Sequence, residues 1–460
     1  MATSKNKYEQ SSNRWRHYTV LGAGLLLFVA LFVRLAQLQV FETDFLQVEG
    51  TKRTVREHNI DAYRGMIVDR NNEPLAVSTP VKSIWANPKQ ILKDNIDIST
   101  LAPLLNMSAA QLNARIKHSR SKEFIYLERH MNPAMAKAIS ELKLSGIGIQ
   151  QEFKRYYPAA EVASHVVGFT NIDDHGLEGI ERSYDDWLTG EPGKRKVRKD
   201  RLGRVVEDLA VIHEAKQAQN IALSIDQRIQ AIAYRELKKA VTETKATSGS
   251  VVVLDIDTGE VLAMANSPSF NPNNRNEFQS YRYRNRAITD SYEPGSTVKP
   301  LSVIAALERD HIGSNSMINT SPGWMQIGGR RVRDSRNYGE ISLTKVIQKS
   351  SNVATSQLAL KVGVEGMLDT FYDVGFGNDA GLGLVGESGG QMPQRRRWSD
   401  FELATLSFGY GLMVTPLQLA QAYATMGAGG VFKPASIIKL QQPATGERVF
   451  EQTKAQAVLE

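Results

Sequence analysis

SYEPGSTVKP, residues 291–300, sets a hydroxyl at Ser296 and an amine at Lys299, with Pro294-Gly295 just before and Pro300 just behind. Pro-Gly marks a turn. After it, Val298, Leu301, Ile304, Ala305 and Leu307 recur at helical spacing. Proline is tolerated in a helix's first turn, whereas deeper it removes an intrahelical hydrogen bond and clashes with the preceding turn. Pro300 therefore predicts a helix starting at or just before Ser296, with the serine on its first turn. Free backbone N–H groups and the positive end of the dipole favour developing negative charge there. Lys299, three residues on, shares a face with Ser296. The helix is apolar nearly all round, which predicts burial, with its N-terminus opening into a cleft. Desolvation plus a neighbouring cation depresses an amine from its usual pKa of ~10.4, making it a usable base. Ser296 then reads as a covalent nucleophile of the Ser-Lys type.

The bare Ser-x-x-Lys pattern is weak, since it also occurs at Ser4–Lys7, Ser119–Lys122, Ser140–Lys143, Ser342–Lys345 and Ser436–Lys439. Those five read as a tail, exposed helix faces and a strand. QKSSNVA, residues 348–354, supplies a second element, with Ser350 falling 54 residues after Ser296. It lies between a helical stretch, Leu343–Gln348, and another beginning near Val353. A hydroxyl there can relay a proton to a leaving group, and the Asn352 amide can orient substrate or hold Lys299. Ser-x-Asn is also common, recurring at Ser11–Asn13 and Ser335–Asn337. Its weight comes from its order and distance behind Ser296.

The 460 residues suggest two or three domains. Hydrophobic content of 42% with 23% charged residues is ordinary for a globular protein. With no cysteine, a disulfide framework, a thiolate nucleophile and Cys-bound metal centres are excluded. The net charge of +7 favours anionic partners in a general way. Lys5, Lys7, Arg14 and Arg16 precede an apolar run that continues past Arg34 to Val40. Residues 18–40 are long enough to cross a ~30 Å hydrocarbon core, with Arg34 snorkelling at the far end. The basic residues 1–17 then form a cytoplasmic tail and the rest of the chain lies outside. No small-residue cleavage site follows, so the segment reads as an uncleaved anchor.

Downstream, RGMIVDRNNEPLAVS reads as two short strands, Met66–Val68 and Leu75–Val77. NPAMAKAISELKLSG reads as a helix stopping at Gly146. GEPGKRKVRKDRLGR, residues 190–204, reads as a turn and a solvated, partly extended basic face rather than a nucleic-acid site. A change of texture near Ile221 suggests a boundary. Asp226 can cap a helix whose apolar residues fall at Ile229, Ile232, Ala233, Leu237, Ala240 and Val241. A hairpin follows, Val251–Ile256 and Val261–Ala265, whose first strand suits a sheet covered on both faces. The Gly381–Gly386 match to a dinucleotide fingerprint lacks the flanking strand and helix. The overlapping G-x-S-x-G has no histidine downstream. Asp173–Glu181 lacks the second histidine of a metal site and reads as a turn and helix start.

RGMIVDRNNEPLA, FKRYYP, HVVGFTN, GLEGIE, LSID, VVVLDIDTGEVLAMANSPSFNPN, YEPGSTVKP, SSN and SFGYGLMVTPLQLA together resemble the class B penicillin-binding proteins, and cover essentially the whole chain. Glu293 and GYGLMVTPLQLA are more similar to the division-septum branch. The resemblance implies an α+β multidomain chain: tail 1–17, transmembrane anchor 18–40, mixed α/β periplasmic pedestal 41–220, and transpeptidase domain 221–460. That last domain is of the serine β-lactamase-like type, a central sheet flanked by helices. It implies a D,D-transpeptidase in which Ser296 attacks a D-Ala-D-Ala carbonyl of a stem peptide. Lys299 deprotonates Ser296, Ser350 passes a proton to the departing amine, and Asn352 positions the substrate amide. An amine of a second stem peptide resolves the acyl-enzyme, and β-lactams trap the same serine. RGMIVDR and GLEGIE take structural roles. Neither a cofactor, a metal nor nucleic acid is expected; division-machinery partners are, including the septal glycan polymerase. The family's Lys-Ser/Thr-Gly element is not found, the later Thr445-Gly446 following Ala444. The expectation is a sequence truncated at its C-terminus, with activity of the piece impaired. A penicillin sensor or β-lactamase relative and a non-catalytic division scaffold remain as alternatives.

Overall fold

The computed structural model describes residues 14–60, 63–191, 193–199, 205–214, 216, 218–274, 279–309 and 311–459. The Ser4–Lys7 and Ser11–Asn13 matches lie outside them, as do residues 200–204 of the basic stretch. Two compact units form, one from Met1–Ala62 with Glu191–Lys216 and the other from Tyr63–Gly190 with Gln217–Glu460.

In the first unit, helix Arg14–Ala36 passes into a π-helical turn, Gln37–Phe41. Trp15–Phe41, 27 residues, is long and apolar enough to cross a membrane, and its apolar side chains are exposed along its length. Strands Val55–Ile60, Gly193–Lys199 and Val205–His213 make an antiparallel sheet with the second in the middle. The described part of the basic stretch, Gly193–Lys199, is thus extended, and Arg195 and Arg198 meet Asp208 and Glu207 across the ladder at 3.0 and 2.6 Å.

The second unit begins with a five-stranded sheet. Ile67–Val68 matches the first expected strand, but the second runs from Pro74 to Ala86, 13 residues. It pairs with Ile147–Tyr156 from Val77↔Tyr156 to Ala86↔Ile147, a distant partner that local pattern does not reveal. The helix expected to reach Gly146 spans Pro133–Glu141, because Lys143 turns left-handed (φ 47°) and breaks the ladder earlier. Glu181, fully buried, accepts from Arg64 Nε at 2.6 Å and Arg155 Nε at 2.7 Å, and Arg64 Nη1 also meets Asp185 at 2.6 Å. Segments RGMIVDR, FKRYYP and GLEGIE are thereby tied to one buried carboxylate. Chain continuity across Ile221 is reinforced laterally. Ile221–Ala222 pairs with Ile67–Val68, Gln227 N–H donates to Asp69 at 3.1 Å, and Arg70 reaches Glu260 at 3.1 Å.

Helix Gln227–Thr244 starts on an Asp226 cap as expected. Its buried face differs, being Gln230, Tyr234 and Leu237, whereas Ile232 is 53% exposed. Gln230 occupies the core face because its amide bonds both the N–H and C=O of Met264 and the Val162 carbonyl. Those bonds satisfy its polar atoms, which removes the usual cost of burial. The hairpin is Gly249–Leu254 with Val261–Ser267; its second strand is buried while its first is only half-buried. Helix Gln227–Thr244 packs on it through Tyr234 and Leu237, and helices Arg286–Thr289 and Pro416–Gly427 contribute Ile288 and Leu417 to the larger core beside it.

Candidate active site

Gly295–Val298 forms a 3-10 turn, and the α-helix itself runs from Lys299 to Glu308. The helix start therefore falls three residues later than the sequence reading placed it. Pro300 is the cause. Lacking an N–H, it cannot donate to the Ser296 carbonyl as an α-helical fourth neighbour would. The Lys299 N–H bonds that carbonyl instead, closing the tighter ring of a 3-10 turn. Ser296 stands exposed on this lead-in turn, and every residue from Val298 to Leu307 is buried. The turn is held from the side by the segment 407–414. Tyr292 and Val414 exchange backbone hydrogen bonds at 3.0 and 2.9 Å, Gly295 N–H donates to Gly409 O at 3.2 Å, and Glu293 accepts from Gly411 N–H at 3.0 Å. Gly409 has φ 87°, and a Cβ there would sit 2.1 Å from the Gly295 carbonyl oxygen. Only glycine permits this approach.

Lys299 is 1% exposed. Its Nζ donates to Ser350 O at 2.5 Å, Ser350 Oγ at 2.8 Å and Asn352 Oδ1 at 2.7 Å, so all three ammonium donors have acceptors. Burial pushes its pKa down to about 8, the Asp334 carboxylate opposing that shift. The depression comes from desolvation, and no cation among the described residues contributes to it. Helices Leu343–Gln348 and Asn352–Asp373 flank the motif as expected. Between them Ser350 holds a left-handed backbone, φ 53°, strain of the kind that collects at functional sites. The two motif segments, far apart in sequence, thus meet at one amine. Ser296 Oγ makes no hydrogen bond among the described residues.

Asp334 was missed by the sequence reading. Its Oδ2 accepts from Ser351 Oγ at 2.7 Å and its Oδ1 from Val353 N–H at 3.0 Å. Ser351, not Ser350, caps the long helix by accepting from Ala354 N–H at 3.0 Å. Asp334 therefore clamps the helix start that carries Asn352, while Asn352 Nδ2 donates to Arg333 O at 3.1 Å. No local pattern in RVRDS signals this, because both partners come from a separate segment.

The other Ser-x-x-Lys sites have different lives. Ser342 is a helix cap bonded by the Lys345 N–H at 3.4 Å, and Lys345 is exposed. Ser119 is the C-cap of helix Ala109–His118 and Ser140 lies in helix Pro133–Glu141, with Lys122 and Lys143 exposed beyond the two helix ends, and Ser436–Lys439 lies in an extended segment. Gly381–Gly386 is a loop, and Asp173–Glu181 is a turn, a short strand and a helix start. No cluster of three metal-ligating side chains exists among the described residues. Thr445-Gly446 leads into a two-residue strand, Glu447–Arg448, paired with Val431–Phe432.

Residues 249–460 match the penicillin binding protein transpeptidase domain, and residues 59–223 match the penicillin-binding protein dimerisation domain. Peptidoglycan D,D-transpeptidase FtsI of Escherichia coli is 51% identical over 451 residues, covering 97% of this chain and 76% of that protein. Penicillin binding protein 3 of Mycobacterium tuberculosis, solved with aztreonam, superposes with a TM-score of 0.66 at 28% identity, over 87% of this chain and 74% of that one. A chain from a peptidoglycan synthase complex that coordinates polymerization and crosslinking gives a TM-score of 0.71 at 25% identity, over 98% and 84%. Two domain matches in order, and a relative half identical over nearly the whole chain, place it plainly: the protein belongs to the class B penicillin-binding proteins.

Proposed function

We propose that this protein is a membrane-anchored peptidoglycan D,D-transpeptidase of the division septum, with Ser296 as its nucleophile. The observation that carries the reading is a fully buried lysine held by Ser350 and Asn352, three residues after an exposed serine. Ser296 Oγ attacks the carbonyl of the penultimate D-Ala of a stem peptide, and its proton passes to the neutral Lys299 amine. Collapse of the tetrahedral intermediate breaks the peptide bond, and the terminal D-Ala leaves as an amine after taking a proton. Ser350 suits that relay. Of the three acceptors on Lys299 Nζ, only its hydroxyl can also donate; the Ser350 carbonyl and Asn352 Oδ1 cannot. An amine of a second stem peptide then attacks the Ser296 ester, forming the cross-link and freeing the serine. Asn352, fixed by Lys299 and the Arg333 carbonyl, orients the substrate amide.

The apolar Trp15–Phe41 helix, preceded by basic residues, supports an anchor with the remainder of the chain periplasmic. Residues 41–220 serve as the pedestal and 221–460 as the transpeptidase domain. The likeness to a chain of a polymerization–crosslinking complex supports a septal glycan polymerase as partner. Labelling the full-length protein with a fluorescent penicillin tests the centre. Covalent label at Ser296 that is lost in Ser296→Ala is expected. A full-length protein that takes no label is a scaffold, and an acyl-enzyme hydrolysed within seconds is that of a β-lactamase relative.

A further inference from the structure

Past Asn352 the reaction centre continues onto a two-stranded ribbon. Trp324–Ile327 pairs antiparallel with Arg330–Arg333, setting Trp324 opposite Arg333 and Gln326 opposite Arg331. Side chains alternate across a strand, so these four share one face. The other face turns inward, where Ile327 and Val332 pack with Ala404 and Phe408. All four residues of the outer face are exposed. The Arg331 guanidinium lies 4.0 Å from the centroid of the Trp324 ring, which holds the fork in place before any ligand arrives. Neither Arg331 nor Arg333 has a carboxylate at ion-pair distance among the described residues. The nearest acid in sequence, Asp334, is already committed to Ser351 and Val353. The ribbon begins where the lysine cluster ends, since the Arg333 carbonyl is the acceptor for Asn352 Nδ2.

We propose that this face binds a carboxylate carried by the donor stem peptide on the acyl side of the scissile bond, with Arg331 and Arg333 as its donors. The inference rests on the reading of Ser296 as the acylated residue. With the substrate amide that Asn352 orients taken as one on the acyl side of the bond, a peptide running from Ser296 past Asn352 arrives at the ribbon, whose Arg333 carbonyl Asn352 bonds. Two guanidinium groups with no carboxylate partner among the described residues match a carboxylate in charge and, for each planar fork, in geometry. The departing D-Ala lies on the other side of the bond, so its carboxylate is not the one read here.

The test compares two donor peptides ending in D-Ala-D-Ala, identical except that an upstream side-chain carboxylate is a carboxamide in one. The full-length protein should prefer the acid in kcat/KM by about tenfold or more, the value of one charge-assisted contact. Arg331→Gln and Arg333→Gln should each shrink that preference, chiefly through KM, and Arg331→Lys should keep part of it. Each preference is a ratio within one variant, so a general loss of activity does not mimic the result. Variants that retain the wild-type ratio overturn the proposal. So does a ratio that responds only when the carboxylate is placed on the acceptor peptide, which would assign the face to the other substrate. Absence of penicillin labelling at Ser296 would instead sink the transpeptidase reading itself.

Discussion

Replacing Asp334 with asparagine separates two things the carboxylate does. It accepts hydrogen bonds from Ser351 Oγ and Val353 N–H, and its charge raises the Lys299 pKa against the lowering caused by burial. With that pKa at about 8, roughly one lysine in ten is neutral at pH 7, against fewer than one in a thousand for an ordinary lysine. Asp334→Asn leaves the burial unopposed, so the pKa falls further and the alkaline rise in acylation moves to lower pH. The gain in neutral amine at pH 7 is capped at about tenfold, since the fraction climbs from a tenth towards one. Opposing it, asparagine offers one oxygen where two accepted, and an orphaned donor costs about 1–3 kcal/mol at the helix start that carries Asn352. The expected outcome is an acid-shifted midpoint with a lower plateau. Stopped-flow acylation by a chromogenic penicillin, followed from neutral to alkaline pH in the full-length protein, reads both. A midpoint that stays put or moves to higher pH refutes the electrostatic coupling. An unchanged plateau refutes the clamp.

Three further outcomes follow from the geometry. Gly409→Ala should abolish penicillin labelling while far-ultraviolet circular dichroism stays native, because its Cβ would meet the Gly295 carbonyl at 2.1 Å and push the turn bearing Ser296 aside. Retained labelling would show that the turn tolerates the displacement. Glu181→Gln should cost about 3–5 kcal/mol in urea unfolding, since it strands the buried Arg64 and Arg155 guanidinium groups without their shared charge. A loss below ~1 kcal/mol would mean Asp185 compensates. His165, whose Nε2 lies 2.7 Å from Arg282 O, is held neutral by burial with its pKa pushed down to about 4 from 6.5. The unfolded chain takes up its proton first, so stability is full above about pH 6.5 and falls by about 3 kcal/mol as the pH drops to 4. His165→Gln should flatten that slope, and an equally steep acid loss in the variant would refute the assignment.

What the sequence by itself determined is local chemistry with a short range. Pro294-Gly295 fixed a turn, the apolar series from Val298 fixed a buried helix, and together they singled out one Ser-x-x-Lys of six. Leu343–Gln348 and the Asp226 cap were legible for the same reason, because capping and periodicity act within a few residues. The 3-10 lead-in was within reach too, since it follows from the missing N–H of Pro300, but the α-helical reading overran it by three residues. Tertiary structure alone decided that Lys299 and Ser350, 51 residues apart, share hydrogen bonds, and that Asp334 stands behind them. It also decided that Gln230 rather than Ile232 faces the core, and that Pro74–Ala86 extends to 13 residues. Each of these depends on a partner supplied by a distant segment. The free energy of a buried amine, amide or unpaired strand edge is set by what closes around it, and no window of neighbouring residues contains that information.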